Sequence, residues 1–504
     1  MKRTMLSLLC IIAFTVSMCA GAIAAVADDL APVTLIWYAL GDPYQDHDEM
    51  MAELNALLKE RINTTIEYKF TTWTDYRSKY NLLLSSGEAI DGILTAQWEN
   101  FYNFANDGAF LDITDLVPEY CPNLYAEITP DEWKTASVNG RIYGVPQNVT
   151  SFDLDGWMYR DDWRVEFGIE NPLTTLEDIE AYFDACIENG INPPMTGNCG
   201  SAIERLMQAY IGYEEIAGDD QIIVRVRDYF SPTEIIAYPF LDEYLEFAQM
   251  LKRWADKGYW RPDAIADPVD TREGFGFGTG AIHWANIGGA NNMGINWANT
   301  ADDGRVLGYM NFRNFTGCAY KTIANVTGMA IPRSSKNPER SLMAMDSIRS
   351  NQDSYDLIVY GIEGKNWSLA EDGQSVYRPA QGTDNAVVDW ANWNFPTLSL
   401  NRPRAEKWSG YDEVIEYYET MLVPNIYTSL ALDYDEVQNE VAAVSNVVSE
   451  YRTLILYGMG DPDQLVAEYR QKLTDAGIEK VVECVRVQML AYYESNNITV
   501  PERP

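Results

Sequence analysis

An α/β protein of two or three domains is what this 504-residue chain predicts, and three observations predict it. Strand-like and helix-like segments alternate from residue 33 to residue 96. A second mixed region opens after a turn and a proline near residue 146. The last ~90 residues carry helical periodicity almost throughout.

The amino terminus reads Met-Lys-Arg, then an apolar run from Met5 to Met18, then Ala25-Val26-Ala27 before Asp28-Asp29. A short basic region and an apolar core too brief to span a bilayer describe a secretory signal peptide, residues 1–27. Cys19 lies where a lipid-modified cysteine sits in bacterial lipoproteins, so lipidation at Cys19 and cleavage after Ala27 both stay open. No later stretch approaches ~18 uninterrupted apolar residues. The mature chain is therefore expected outside the cytoplasmic membrane, lipid-anchored at the cell surface or free in a periplasm.

The first mature segment alternates cleanly. "VTLIWYAL" (33–40) is an apolar run of strand length, and "DEMMAELNALLKERI" (48–62) sets Met51, Leu54, Leu58 and Ile62 on one helical face. "TTIEYKF" (64–70) is strand-like, "DYRSKYNLLLSSG" (75–87) is a helix with Gly87 as its stop, and "AIDGILTA" (89–96) is strand again. That βαβαβ order predicts a parallel sheet. In open sheets of this kind ligands sit beyond the carboxyl ends of the strands, where the sequence puts Trp37-Tyr38 with Gly41, and Gln97-Trp98-Glu99. A tryptophan at a strand end serves either a core or a ligand platform. Trp73, just before the 75–87 helix, carries the same two readings.

In "NGRIYGVPQNVT" (139–150) Asn139-Gly140 makes a turn, and Pro146 removes a donor from the strand-like run before it. Helical patterns follow near 175–188 and 241–257. "TGAIHWANIGGANN" (279–292) reads as a strand carrying Ile282 and Trp284 on one side and His283 on the other, with Asn286 and glycines past its end. Those glycines suit a close approach of backbone to a ligand or to another lobe of the protein. "TGMAIPRSSKNPERSLMAMDSI" (327–348) is a strand closed by Pro332, then a helix that Asn337 is placed to cap. "DAGIEKVVECVRVQMLAYYE" (475–494) sets Ile478, Val481, Val482, Val485, Met489 and Tyr493 on one stripe.

Composition excludes several functions. With 75 acidic against 37 basic residues the net charge is −38, which opposes nucleic acid and anionic lipid as partners. Two histidines, His47 and His283, cannot make a His-rich zinc site, and there is no CxxC. Beyond the signal the cysteines are Cys121, Cys186, Cys199, Cys318 and Cys484, an odd and scattered set; only Cys186 and Cys199 are near enough in sequence to suggest a local bridge. "GFGFGTG" (274–280) fails the GxGxxG spacing, and neither GxxxxGK[ST] nor GxSxG occurs. No cofactor is expected. Structural calcium stays open, because Asp-rich loops exist although none has EF-hand spacing.

The ordered set "SGEAID" (86–91), "GAFLDITDLVPEYCPNL" (108–124), "NGRIYGVP" (139–146), "GTGAIHWAN" (278–286) and "GMAIPRSSKNPERSL" (328–342) resembles bacterial extracellular solute-binding proteins of ATP-driven (ABC) importers. "YGIEGKNW" (360–367) and the tail from Tyr457 to Gln488 look like the long, lipoprotein-type branch associated with oligosaccharide uptake. The resemblance spans nearly all the mature chain; "AIDGI" departs from it where a Pro-Asp pair is usual. It implies a two-lobed periplasmic-binding-protein-like fold (type II) with the ligand cleft between lobes and a helical C-terminal extension. One lobe would comprise 28–147 with 308–335, the other 148–307 with 336–504, and the crossings near Pro146, Gly308 and Pro332 would form a hinge.

A saccharide needs flat aromatic surfaces for its CH faces and fixed polar groups for its hydroxyls. The chain holds 14 Trp and 32 Tyr. By resemblance the end of the 281–284 strand faces the cleft, which makes Trp284 and Asn286 the leading ligand contacts and His283 a structural residue. "VDWANWNFP" (388–396) offers Trp390, Asn392 and Trp393 as a binding loop or as a helical face on a core. Asn148 lies just past the first crossing, and Glu99 could accept hydrogen bonds from a ligand hydroxyl. The expected function is capture of an oligosaccharide and its delivery to membrane permease subunits, by a monomer without catalysis. A secreted glycoside hydrolase with a carboxylate pair, and a binder of peptides or other solutes on the same fold, are the alternatives.

Overall fold

The computed structural model describes residues 30–72, 75–149, 155–214, 223–319, 327–379, 386, 393–427, 430 and 432–499. Cys19, Trp73, Trp390 and Asn392 lie outside them. The chain divides into two compact units: 1–150 with 323–405, and 151–322 with 406–504.

In the first unit, strands Val33–Leu40, Thr64–Thr71 and Gly92–Thr95 pair in parallel, as the alternation predicts. Gly328–Ala330 then inserts antiparallel between Gly92–Thr95 and Gly144–Pro146 and completes a five-stranded sheet. Helix His47–Ile62 buries Met50, Met51, Leu54, Leu58 and Ile62, and Asn63 ends it in the left-handed region at φ 46°. Helix Tyr76–Ser86 stops at Gly87, φ 74°. Helices Pro338–Arg349 and Gln352–Tyr360 close the same core through Leu342, Met345, Ile348, Tyr355 and Ile358. Asn337 occupies the N-cap position of the first of these without a capping bond; its Nδ2 donates instead to Asp91 Oδ1 at 3.2 Å.

The second unit is built on a three-stranded antiparallel sheet, with Asp155–Arg160 between Ile282–Asn286 and Leu307–Asn311. Helices Leu176–Glu188, Gly200–Ile211 and Asp242–Asp256 pack on it around Trp157, Tyr182, Phe183, Leu206, Leu251 and Trp254. Helices Gln438–Leu456, Pro462–Asp475 and Ile478–Ser495 join that core. Along the last helix Ile478, Val481, Val485, Met489 and Tyr493 are buried, and Val482 is half-buried against the same cluster. Cys121, Cys186, Cys199, Cys318 and Cys484 are all free thiols, so Cys186 and Cys199 form no bridge.

The lobe boundaries differ from the expected ones. The chain leaves the first unit at Thr150, returns at Ile323 and leaves again at Ala405. Gly308 is no crossing, because Leu307–Asn311 is paired along its length with Asp155–Arg160. A Cβ at Gly308 would lie 2.3 Å from the Tyr159 ring, so that glycine serves packing. Pro332 is no crossing either, since the helices after it belong to the core of the first unit.

Candidate functional site

Each unit brings one group of aromatic and polar residues to the ends of its strands. In the first unit Trp98 lies in the 3-10 turn Gln97–Glu99, directly after strand Gly92–Thr95. Its indole meets Trp393 edge to face, with centroids 6.4 Å apart and planes at 89°, and Tyr76 at 6.3 Å. Trp98 and Trp393 are both half-buried, so part of each ring is open to a ligand. The structure therefore brings together two of the tryptophans singled out in the sequence, across almost 300 residues of chain. Beside them Asn394 is fully buried; its Nδ2 reaches Met329 Sδ at 3.5 Å, and its Oδ1 has no donor among the described residues.

Three other expected contacts in this unit are structural. Trp37 is 0 % exposed. Alternation along Val33–Leu40 turns Leu35, Trp37 and Ala39 into the core, where the indole stacks on Phe395 at 6.0 Å and donates from Nε1 to Ser341 Oγ at 3.0 Å. A Cβ at Gly92 would lie 2.7 Å from that ring. Glu99 is 4 % exposed; together with burial its charge pushes the Tyr80 phenol well up, so Glu99 faces inward and not toward a ligand hydroxyl. Asn148 is also buried and already engaged: its Oδ1 accepts from Leu398 N at 2.9 Å and its Nδ2 donates to Glu127 Oε1 at 3.2 Å.

In the second unit one rim of the sheet gathers Asn286, Asp155 and Asn311. Asn286 pairs with Asp155, and Asn311 with Gly156. Trp284 is half-buried, and the Arg205 guanidinium from helix Gly200–Ile211 lies 5.3 Å over its ring. Arg205 also pairs with Asp155 at 3.4 Å. The cation is thus held between an aromatic face and a carboxylate, an arrangement that rigidifies the indole. Asn311 is buried; its Oδ1 accepts from Arg313 N at 2.7 Å, and its Nδ2 has no acceptor among the described residues. Asn286 is exposed and caps helix Ile287–Thr300, its Oδ1 accepting from Gly289 N at 2.8 Å. Gly288 and Gly289 are therefore the first turn of a helix, not a loop for close approach.

His283 takes no part in this rim. It is 2 % exposed, and its Nδ1 shares a hydrogen bond with Thr271 Oγ1 at 2.7 Å. Burial lowers its pKa to about 4, so at neutral pH the ring is uncharged. Sequence reasoning missed Asp155, Arg205, Asn311 and Tyr76. Their places depend on strand pairings and helix packing between distant segments, which leave no local signal. Among the described residues no group of three or more His, Cys, Asp or Glu could hold a metal ion, and no helix is long and apolar enough to cross a membrane.

Two α/β units joined by three chain crossings are the fold shared with two-domain periplasmic solute-binding proteins. Over 461 residues, 90% of this chain and 89% of the relative, the sequence is 24% identical to a carbohydrate ABC transporter substrate-binding protein of Streptococcus pneumoniae. A fructooligosaccharide ABC transporter substrate-binding protein of the same species is 31% identical over 131 residues, 22% of this chain and 24% of that one. The crystal structure of the N-glycan transport solute binding protein of Streptococcus pneumoniae matches in fold with a TM-score of 0.74 and 19% identity, over 92% of this chain and 100% of that one. Its complex with Man5GlcNAc matches at 0.70 with 20% identity, over 93% and 100%. Residues 427–494, which take in the last three helices up to Glu494, match a domain of unknown function, DUF3502. Over nearly its whole length the chain is thus similar in sequence and in fold to solute-binding proteins of ABC importers.

Proposed function

We propose that this protein captures an oligosaccharide outside the cytoplasmic membrane and presents it, chemically unchanged, to the permease of an ABC importer. The observation that carries the reading is the pair of half-buried aromatic patches, Trp98 with Trp393 in one unit and Trp284 under Arg205 in the other. Indole faces attract the polarised CH groups of a pyranose. At the strand-end rim of the second unit the buried Asn311 Nδ2 has no acceptor among the described residues, which supports a ligand rich in hydroxyls, since an unmade buried hydrogen bond costs about 1–3 kcal/mol. The names of the relatives point to the same class of ligand. Closure about the three crossings would draw on ligand contacts that favour one state over the other.

Isothermal calorimetry with Man1GlcNAc, Man5GlcNAc and a fructooligosaccharide tests the proposal. We expect at least one to bind with a micromolar or lower Kd, about −8 kcal/mol, and to be recovered intact. Trp393→Ala and Trp284→Ala should each weaken it about tenfold, near 1.5 kcal/mol per lost ring. Hydrolysis of the glycan, or wild-type affinity in both variants, would overturn the reading. Small-angle scattering should show a smaller radius of gyration with the glycan, and light scattering a monomer. Anchoring is decided at Cys19: Cys19→Ala releases a lipidated protein from the membrane fraction and leaves an Ala27-cleaved one unaffected.

A further inference from the structure

We infer that Glu127 and Asn148 form a latch that positions the Trp393 wall, so that glycan affinity depends on two residues that do not touch the glycan. The inference rests on the receptor reading above. Segment 395–399 has no helix or strand to hold it, and its place must come from hydrogen bonds outside any ladder. The Glu127 carboxylate accepts three of them, and a fourth bond from Asn148. Its Oε1 accepts from Thr397 Oγ1 at 2.9 Å, Asn148 Nδ2 at 3.2 Å and Ser399 N at 3.2 Å, and its Oε2 accepts from Ser399 Oγ at 2.8 Å.

Asn148 completes the clasp. Its Oδ1 accepts from Leu398 N, and its own N–H donates to Pro396 O at 3.3 Å. Behind them Arg349, 1 % exposed, donates from Nη1 to Pro146 O at 2.9 Å and from Nη2 to Pro396 O at 3.4 Å. Every residue from 396 to 399 is thus fastened. Immediately upstream, Phe395 and Asn394 are fully buried, and the Trp393 carbonyl accepts from the Thr327 hydroxyl. Trp393 is left as the half-open end of a rigid segment, edge on to Trp98. The bonds to Glu127 involve an ionised acceptor, which makes them stronger than neutral ones. Burial alone would raise the Glu127 pKa, yet the bonds from Ser399, Asn148 and Thr397 leave it below its ordinary value. The same latch ties together, within the first unit, the segments that lead out of it at Thr150 and Ala405.

A double-mutant cycle tests the latch, with Man5GlcNAc as probe, or the fructooligosaccharide if that binds more tightly. Glu127→Gln should weaken binding by about fivefold in the wild-type background, and by less than twofold in Trp393→Ala, where no wall is left to misplace. Its effect on melting temperature should be the same in both backgrounds, which separates positioning from stability. Thr397→Val removes one bond without touching the charge and should give a smaller loss with the same pattern, should Glu127→Gln fold poorly. Unchanged affinity in both latch variants, or an equal loss with and without Trp393, overturns the latch. Wild-type affinity in Trp393→Ala overturns it too. Failure of the unmodified protein to bind any glycan of the panel defeats the receptor reading instead, an outcome no latch variant can mimic.

Discussion

Replacing His283 by asparagine should flatten the acid limb of this protein's stability profile, and the size of the effect follows from where the ring sits. Burial moves the imidazole from its ordinary pKa of 6.5 to about 4, while the Asp270 charge pulls it up and Arg272 pushes it down. A base with a depressed folded pKa contributes fully above its unfolded value, where neither state binds the proton. Between pH 6.5 and 4 the unfolded chain takes up a proton that the folded chain cannot, so stability falls; below pH 4 the loss is complete. At 1.36 kcal/mol per pKa unit the shift is worth about 3 kcal/mol. Asparagine keeps a polar group for Thr271 Oγ1, bonded to the ring at 2.7 Å, and cannot titrate. Urea unfolding, followed by tryptophan fluorescence in steps from pH 7.5 to pH 4, should show the wild type losing about 3 kcal/mol more than the variant. Parallel profiles would refute the claim that His283 is buried as a neutral ring.

Trp37→Ala should cost about 3–5 kcal/mol of stability, read by calorimetric melting, because that indole is core. Gly156→Ala should cost about 1–3 kcal/mol, since the new Cβ would lie 2.5 Å from the Met310 carbonyl oxygen; chemical denaturation measures it. Glu127→Gln should lower the melting temperature at pH 7, and progressively less as the pH falls below 4.5. The carboxylate's contribution is present above its unfolded pKa of 4.5 and is lost as the pH falls through the lower folded value.

The first unit is legible where its cues are local. Runs such as "VTLIWYAL" and the Met51, Leu54, Leu58, Ile62 stripe write strand and helix periods directly into the chain, and the parallel order follows. The insertion of Gly328–Ala330 beside Gly92–Thr95 is not legible, because no short-range signal selects a partner more than 200 residues away. The same limit explains the uneven fate of the tryptophans. Alternation divides Trp37 from Tyr38 and Trp284 from His283, but it cannot say which face a helix will later cover. Phe395 and Ser341 cover Trp37, whereas Trp284 stays half-buried beneath Arg205. Asn148 follows the same limit: a polar residue at a chain crossing can serve a ligand or the backbone, and here Leu398 and Glu127 engage it. The boundaries near Gly308 and Pro332 fail because glycine and proline also serve tight packing and strand ends.

Neither unit is a contiguous stretch of chain. The sheet of the first needs Gly328–Ala330 and its core needs helices up to Tyr360, while the core of the second takes in Ile478–Ser495. A growing or partly translocated polypeptide therefore holds no finished half until most of it has emerged. Contacts of such long sequence separation make folding slow, so both halves set late and nearly together.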